Sequence, residues 1–419
     1  MKKSDASRTF EFQKNNSPLS QIDLQRTCDE FRYVMHLNSN GYTNRFGRFE
    51  SVLMAANHAN ELQENGDWES FANLLKTDDS IRPLLFSYDL KNCFEKLQSL
   101  HPKHFDFPLA GTFTPELFIE NFTDSDYSSN EEYSLQAESI PEIITETSRE
   151  EYRRQFYFIQ DQLRRGNIYE TNYCIRFSAR VPSLNPLVLY RNLNRRSPAP
   201  FSALVRWNDS WLICSSPERF LLKKGNTLVA QPIKGTARRT GIAEIDNKIA
   251  SALKNDAKEC AENIMITDLM RNDLSHFALP GAVKVSELCG VYPYNKVFQM
   301  ISTIEAELSE SSTLAEILPT VFPMGSMTGV PKISAMRLAE EYESFRRELY
   351  SGSIGYCTAN GDFDLNVVIR SYLYNARTGY LSFSTGGAIT IRSDADREYD
   401  ECLLKAESLI ECLKEPTHF

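Results

Sequence analysis

The sequence has no surplus of positive charge. Lys and Arg number 46 against 56 Asp and Glu, a formal net charge of -10, so the basic footprint that general nucleic-acid binding needs is missing. Small anions stay open as substrates, because local cationic pockets capture them whatever the global sign. No apolar stretch follows the opening MKKSDASRTFEFQKNN, so no secretory leader is expected. No uninterrupted apolar run approaches the roughly 20 residues of a membrane span. Nine cysteines are scattered without CxxC or CxxC…H spacing, which excludes a recognisable zinc site or disulfide frame. Internal repeats and long low-complexity tracts are also missing. These absences predict a cytoplasmic chain with reduced thiols, no nucleic acid and no membrane, and small molecules or proteins as partners.

What is present suits a globular protein with a large buried core: 419 residues, 42% hydrophobic and 24% charged, enough for two or three domains or one oversized one. Up to about residue 115, helix-like "ESFANLLK" and strand-like "IRPLLFSYDL" alternate. "NFTDSDYSSNEEYSLQAESIPEI" then has the polar, acidic composition of a linker. It divides the chain into an N-terminal subdomain, 1–145, and a second domain, 146–419. Ser148 and Glu151 suggest a capping box. It opens a helix in which Tyr152, Phe156, Ile159 and Leu163 recur at helical spacing, with Asn167 ending it. Strand candidates follow at "IYETNYCIRFSARV", "SALVRW", "WLICSS", "RFLLKK", "TLVAQPI", "SGSIGYCTA", "FDLNVVIRSYLY" and "YLSFST". Long helices interrupt them at roughly 245–273 and 394–414. Runs of strands broken by long helices predict an α/β (α+β) fold of large antiparallel or mixed sheets with helices on their outer faces.

Two acidic pairs stand out. Glu259 and Glu262 are three apart in "KNDAKECAENIMITDLMRNDL", and Glu398 and Glu401 repeat that spacing in "SDADREYDECLLKAESLIECL". Each pair shares one helix face. Ser393 with Asp396 would cap the second helix, Tyr399, Leu403, Ala406 and Ile410 would form its buried stripe, and Lys405 lies on the carboxylate side. Like charges at this spacing cost a helix a few tenths of a kcal/mol. A hard divalent cation would offset that cost, since Mg²⁺ takes one or two carboxylates, several waters and oxygens of an anionic substrate. Two solvated helix faces would read the same way, because E-x-x-E is common.

Several small-residue and cationic elements accompany them. "VFPMGSMTGVPK" (321–332) is a loop of breakers and hydroxyls before a helix near Lys332, of the kind that presents backbone N–H groups to anions. "FSTGGAIT" (383–390) reads as a turn after a strand. Arg370 ends the run "LNVVIR" at a sheet rim, Tyr350 precedes a Gly-bearing strand, and "DLMRNDL" (268–274) suits a hydrogen-bond network at a helix end. "QPIKGTARR" (231–239) bends sharply around Lys234. Singly, each also suits a plain turn, a surface charge or a core side chain.

Together, "GNIYETNYC", "SSPERFL", "QPIKGTARR", "KECAENIMITDLMRNDLS", "VFPMGSMTGVPKISAM", "YSGSIGYCTANGDFDLNVVIRS" and "STGGAITIRSDADREYDECLLKA" occur in the order and spacing of the chorismate-binding enzymes. The chain resembles that family over about 146–419. The family includes anthranilate, aminodeoxychorismate, isochorismate and salicylate synthases. The resemblance implies an anthranilate-synthase-like fold, two large mostly antiparallel sheets packed as a sandwich with helices outside, and an N-terminal part that is short for the family.

The resemblance also implies roles. Glu262 and Glu401 would be direct Mg²⁺ ligands, with Glu259 and Glu398 supporting them through water. Glu218 would be the general acid that protonates the departing C4 hydroxyl of chorismate. Arg370 and Tyr350 would grip the pyruvyl side. Gly386, Gly387, Ala388 and Lys405 would line the carboxylate pockets, and Ser326 and Thr236 would add contacts. The chemistry suits these types: hydroxide is a poor leaving group, and a neutral carboxylic acid beside it supplies the proton. Such an acid stays protonated at neutral pH only if burial or negative charge raises its pKa.

Lysine at position 234 goes, within the family, with the aminodeoxychorismate synthases, and alanine with the anthranilate and isochorismate types. Its amine would attack C2, expel the C4 hydroxyl and leave an adduct that ammonia displaces at C4. A desolvated lysine beside Arg238 and Arg239 would have its pKa lowered and so be free to attack. Glu170 stands where water-using relatives carry a lysine base, which disfavours the isochorismate and salicylate readings. Asn263 and Gln299 replace histidines common in the family, so altered pocket polarity with retained metal binding is expected. The implied reaction makes 4-amino-4-deoxychorismate from chorismate, with ammonia from a separate glutamine amidotransferase subunit, toward p-aminobenzoate and folate. The rival readings are an anthranilate-forming synthase component and a non-catalytic chorismate-binding subunit.

Overall fold

The computed structural model describes residues 23–42, 47–75, 80–99, 101–124, 141–309 and 312–414. Two ten-stranded sheets dominate it, and each pairing between the described strands is antiparallel. The first runs Gly329–Val330, Glu170–Arg180, Tyr380–Thr390, Ser371–Asn375, Ser210–Ser216, Phe201–Trp207, Tyr33–Asn38, Ser51–Ala56, Leu117–Glu120, with Ile144–Thr145 added beside Glu170–Arg180. The second runs Ile233–Arg238, Val297–Leu308, Thr227–Gln231, Arg219–Lys224, Phe363–Asn366, Ser353–Cys357, Arg82–Phe86, Ala110–Thr112, Asn60–Leu62, with Ala278–Pro293 against Val297–Leu308. Both sheets are laid down across position 145: Tyr33–Asn38 pairs with Phe201–Trp207, and Arg82–Phe86 pairs with Ser353–Cys357.

The strands of the first sheet are apolar on both faces, and their period-2 geometry divides them between two cores. Met35, Val52, Met54, Ala203, Val205, Leu212 and Cys214 point to a core shared with Leu84, Phe86, Phe220, Leu228 and Leu365 of the second sheet. Their neighbours Val34, Leu53, Leu204 and Ile213 point the other way, onto the helices. Helices Arg149–Arg164, Pro186–Arg196 and Ala395–Lys414 cover that outer face. Tyr152, Phe156, Ile159 and Leu163 are buried there as the spacing requires. Burying each such side chain contributes about 1.5–3 kcal/mol. Two other helices, Ala257–Ser275 and Leu314–Val321, instead send Ile266, Met270, Leu274, Ile317 and Leu318 into the core between the sheets.

Four local expectations need correction. The helix expected over 245–273 is two, Ala243–Lys254 and Ala257–Ser275, because Asn255 ends one and the Asp256 side chain caps the next through the N–H groups of Lys258 and Glu259. Ser148 caps its helix through the Glu151 N–H, but the Glu151 carboxylate bonds Arg154 and Gln155 in place of closing a box, and the helix ends at Arg164 before a left-handed Gly166. The last helix is capped by Asp394, which accepts from the N–H groups of Asp396 and Arg397, while Ser393 turns back onto Thr390. Its buried stripe runs through Tyr399, Cys402, Ala406 and Leu409, leaving Leu403 and Ile410 at the margin. Finally, Gly386, Gly387 and Ala388 are no turn. They continue Tyr380–Thr390, opposite Cys174, Tyr173 and Asn172, and a β-carbon on Gly386 would lie 2.6 Å from Cys174 Sγ.

Candidate active site

Two sheet ends and two helix starts meet around Lys234. In the strand Ile233–Arg238 the register against Val297–Leu308 slips between Ile233 and Thr236, and Gly235 has φ +95°. This is a β-bulge, which kinks a strand and re-aims a side chain. A β-carbon on Gly235 would sit 3.2 Å from Glu259 Oε2, so glycine serves both the backbone angle and the close approach. Asn263, fully buried, donates to the carbonyls of Lys234 and Met300 at 3.2 Å each and pins the bulge. The sharp bend therefore aims Lys234 inward. Its Nζ lies 3.3 Å from Glu170 Oε1, with 12% and 1% of the two side chains exposed.

The electrostatics differ from the expectation of a lysine flanked by arginines. Arg238 is exposed, and Arg239 is turned to Asp246 and the Tyr294 carbonyl. Burial alone would lower the Lys234 pKa, but Glu170, Glu262 and Glu218 outweigh it and raise it. In the resting protein this lysine is an ammonium.

The two acidic helices present their carboxylates to the same region. Asp256 starts Ala257–Ser275, placing Glu259 in its first turn and Glu262 one turn on, and Glu398 and Glu401 repeat this in Ala395–Lys414. A β-carbon on Gly387 would lie 3.4 Å from Glu398 Oε2 and 3.9 Å from Glu401 Oε1, so the strand backbone runs directly against both. Lys258 Nζ bridges the helices, 3.8 Å from Glu262 and 3.6 Å from Glu398. Lys405 holds Glu401 at 2.7 Å and donates to the Gly386 carbonyl at 2.8 Å. Burial pushes Glu262 up to about 7, against the pull of Lys234 and Lys258. Burial also raises Glu259 and Glu398. The Glu401 side chain is 41% exposed, and Lys405 and Lys258 outweigh its partial desolvation and bring it below the usual carboxylate value.

Glu218 closes the site from the turn before Arg219–Lys224. Burial lifts it to about 7, although Ser326, Lys234 and Lys405 draw it down. Ser326 is buried beside it. Arg370, in the left-handed region at φ +49°, lies close enough to Tyr294 and Glu218 to feel their charge, and burial lowers its pKa. Tyr350 is buried with its hydroxyl 3.8 Å from the Sγ of Cys174, the residue directly opposite Gly386. Thr236 is exposed on the bulged strand. Lys234, Glu218, Ser326, Arg370, Lys405 and the four helical glutamates are thus gathered, with Tyr350 behind them and Thr236 outermost.

The supporting frame was not read from the sequence. Arg347, buried, bonds Glu343, the Met327 carbonyl at 2.7 Å and the Asn172 carbonyl at 2.9 Å, tying the 324–328 loop to the strand Glu170–Arg180. That loop spends part of its backbone on the strand: Tyr169 N–H donates to Val330, and Asn172 N–H to Thr328. Asp273 and Lys332, 2.6 Å apart, join two helices, as the "RNDL" segment suggested. The Lys258 bridge had a signal, since Lys258 is four residues before Glu262. The Glu170–Lys234 pair, 64 positions apart between sheets, had none.

Six carboxyl groups, Glu170, Glu218, Glu259, Glu262, Glu398 and Glu401, face three ammonium groups, Lys234, Lys258 and Lys405. Glu262 Oε1 is buried with no hydrogen-bond partner. Excess negative charge, hard oxygen donors and a buried carboxylate oxygen that accepts no hydrogen bond fit a divalent cation such as Mg²⁺. Among the described residues no three ligating side chains converge on one point, the lysines being interleaved with them.

The chain is similar to several known proteins. Residues 32–411 match the sequence profile described as chorismate binding enzyme. Aminodeoxychorismate synthase component 1 of Escherichia coli is 35% identical over 347 residues, 79% of this chain and 76% of that protein. Anthranilate synthase component 1 of Thermus thermophilus is 35% identical over 267 residues, 64% of this chain and 57% of that one. The crystal structure of anthranilate synthase component I from Streptococcus pneumoniae superposes with a TM-score of 0.73 at 23% identity, covering 90% of this chain and 92% of that one, which shows the shared fold. Among the described residues no helix is long and apolar enough to cross a membrane.

Proposed function

The chain belongs to the chorismate-binding enzymes, and from that premise we propose that it makes 4-amino-4-deoxychorismate from chorismate and ammonia. The observation that carries this reading is the bulge at Lys234–Gly235, which aims a primary amine into the carboxylate cluster. The alanine of the anthranilate type could not make an adduct. Similarity to the Escherichia coli aminodeoxychorismate synthase component 1 over 79% of the chain supports the same choice.

In this reading Arg370 and Tyr350 hold the enolpyruvyl side of chorismate, while Lys405, the Gly386–Gly387–Ala388 backbone, Ser326 and Thr236 receive its polar groups. Glu262 and Glu401, backed by Glu259 and Glu398, would hold Mg²⁺, which when bound draws charge from the ring carboxylate. Glu218, lifted to about 7, keeps a proton at neutral pH and gives it to the C4 oxygen, which leaves as water. The Lys234 amine forms a bond to C2 as the ring double bonds shift and the C4–O bond breaks. Ammonia then bonds at C4, the shift reverses and lysine departs. The relatives' designation as component 1 supports an ammonia supply from a separate glutamine amidotransferase subunit. The product would go to p-aminobenzoate and folate.

Incubating the protein with chorismate, Mg²⁺ and ammonium and identifying the product by mass tests the reading. The expected product is 4-amino-4-deoxychorismate, and anthranilate as sole product would overturn it in favour of the Thermus-like activity. Mg²⁺-dependent chorismate binding without turnover would favour a non-catalytic subunit. Without ammonium, intact mass should show a chorismate-derived adduct that Lys234→Ala loses.

A further inference from the structure

Lys234 is charged in the resting protein, so its nitrogen cannot attack until a proton has left. Glu170, from the strand Glu170–Arg180, pairs with it, and Glu262 from the helix Ala257–Ser275 and Glu218 from the turn before Arg219–Lys224 lie near enough to add to the field at its nitrogen. Glu218 must keep its own proton for the departing oxygen. Glu262 faces Lys258 as well and belongs to the cation cluster. Glu170 has no other task. Its Oε1 is 3.3 Å from Nζ, only 1% of the side chain is exposed, and its Oε2 is buried without a hydrogen-bond partner. The backbone around it is fixed from both sides, by Val330 on one edge and Thr390 on the other. Gly329, at φ +149°, packs so closely that any β-carbon there would overlap the Glu170 carbonyl oxygen. A buried carboxylate with one oxygen on an ammonium and the other unpaired costs desolvation energy that a purely structural ion pair would not recover.

We propose that Glu170 is the proton acceptor of the site, taking a proton from Lys234 Nζ as the amine attacks chorismate. This rests on the reading of Lys234 as nucleophile. The step balances. Nζ passes one proton to a Glu170 oxygen, the freed electron pair forms the bond to C2, and the C4 oxygen leaves as water with the Glu218 proton. When ammonia later displaces the lysine, the departing amine takes its proton back from Glu170 and the ion pair is restored. Transfer inside the pair turns two buried charges into two neutral groups, which relieves the desolvation cost of that pair.

The test follows adduct formation by intact mass after rapid mixing with chorismate and Mg²⁺, from pH 6 to 9, in the wild type, Glu170→Gln and Glu170→Asp. Chorismate affinity and thermal melting are measured alongside. General-base assistance is worth about 10²–10⁴-fold. Glu170→Gln should therefore form adduct at least about 100-fold more slowly at pH 7, with a rate that rises with pH because the proton must now pass to solvent. Chorismate affinity should stay within a few-fold. Glu170→Asp, which keeps the carboxylate on a shorter arm, should recover part of the rate and the wild-type pH profile. An adduct in the wild type, with an unchanged rate and profile in Glu170→Gln, would overturn the role of Glu170 and leave the Lys234 reading intact. No adduct in the wild type would overturn both.

Discussion

The helices Ala257–Ser275 and Ala395–Lys414 carry the same E-x-x-E spacing, each with one glutamate in the first turn and the other a turn later. Their electrostatic fates differ. Glu262 is held up at about 7, whereas Glu401 is brought below the ordinary carboxylate value. Two causes act together: the Glu262 side chain is only 12% exposed against 41% for Glu401, and Lys405, four residues after Glu401, binds it at 2.7 Å, whereas Lys258, four before Glu262, stays 3.8 Å away, shared with Glu398. Glutamate preceding lysine at this spacing is also the better orientation on a helix. A repeated spacing therefore fixes which face a carboxylate takes, and burial together with the neighbouring cation fixes its charge.

This contrast can be broken at several levels. The largest effect is expected for Glu262→Gln and Glu401→Gln, each lowering turnover by about 1000-fold and abolishing saturation by Mg²⁺, while Glu259→Gln and Glu398→Gln cost only about 10–100-fold. Steady-state assays with a Mg²⁺ titration measure this, and equal losses at all four positions would erase the distinction between inner and outer pairs. Next, turnover should fall about tenfold per pH unit above the Glu218 value near 7, because the acid loses its proton. A rate that keeps rising to pH 9 would remove Glu218 from that role. A smaller effect is expected for Lys405→Ala: without its partner Glu401 gains protons more easily, so Mg²⁺ affinity should drop about tenfold at pH 6 and much less at pH 8. Calorimetric titration at the two pH values checks it.

The smallest effect concerns stability without metal. The folded pKa of Glu262 is about 7, above its ordinary 4.5, so between those values the folded chain binds more protons than the unfolded one. Its contribution therefore falls as pH rises across that window. Glu401 has the opposite sign, contributing above its unfolded pKa and losing that contribution as pH falls through its lowered folded value. In chelator, Glu262→Gln should stabilise the protein at pH 7.5 by about 1–3 kcal/mol, with little gain at pH 5. Denaturant melts at both values measure this.

The contrast also marks how far the sequence could be read. The four helical glutamates, Lys234, Glu218 and Arg370 were legible because helix period and motif order place them, whatever surrounds them. The charge on Lys234 was not. Chain neighbours Arg238 and Arg239 suggested repulsion, but a strand alternates its faces and a bulge re-aims them, so the residues that decide come from Glu170, Glu218 and Glu262. Gly386 and Gly387 misled in a similar way. Glycine signals a turn when backbone freedom is its purpose, and here its purpose is to let a strand pass against Cys174, Glu398 and Glu401. The strands themselves were hard to assign because the first sheet is buried on both faces, which weakens the alternation that identifies a half-exposed strand.

The shared sheets have a consequence for synthesis. Tyr33–Asn38 finds its partner at 201–207, and Arg82–Phe86 waits for 353–357. The early strands therefore leave the ribosome with unpaired edges and apolar faces, and more than two hundred further residues must emerge before the second of these joins can close. Truncating the end of the chain would leave the beginning without its hydrogen-bonding neighbours, so chaperone demand during translation should track the arrival of the final strands.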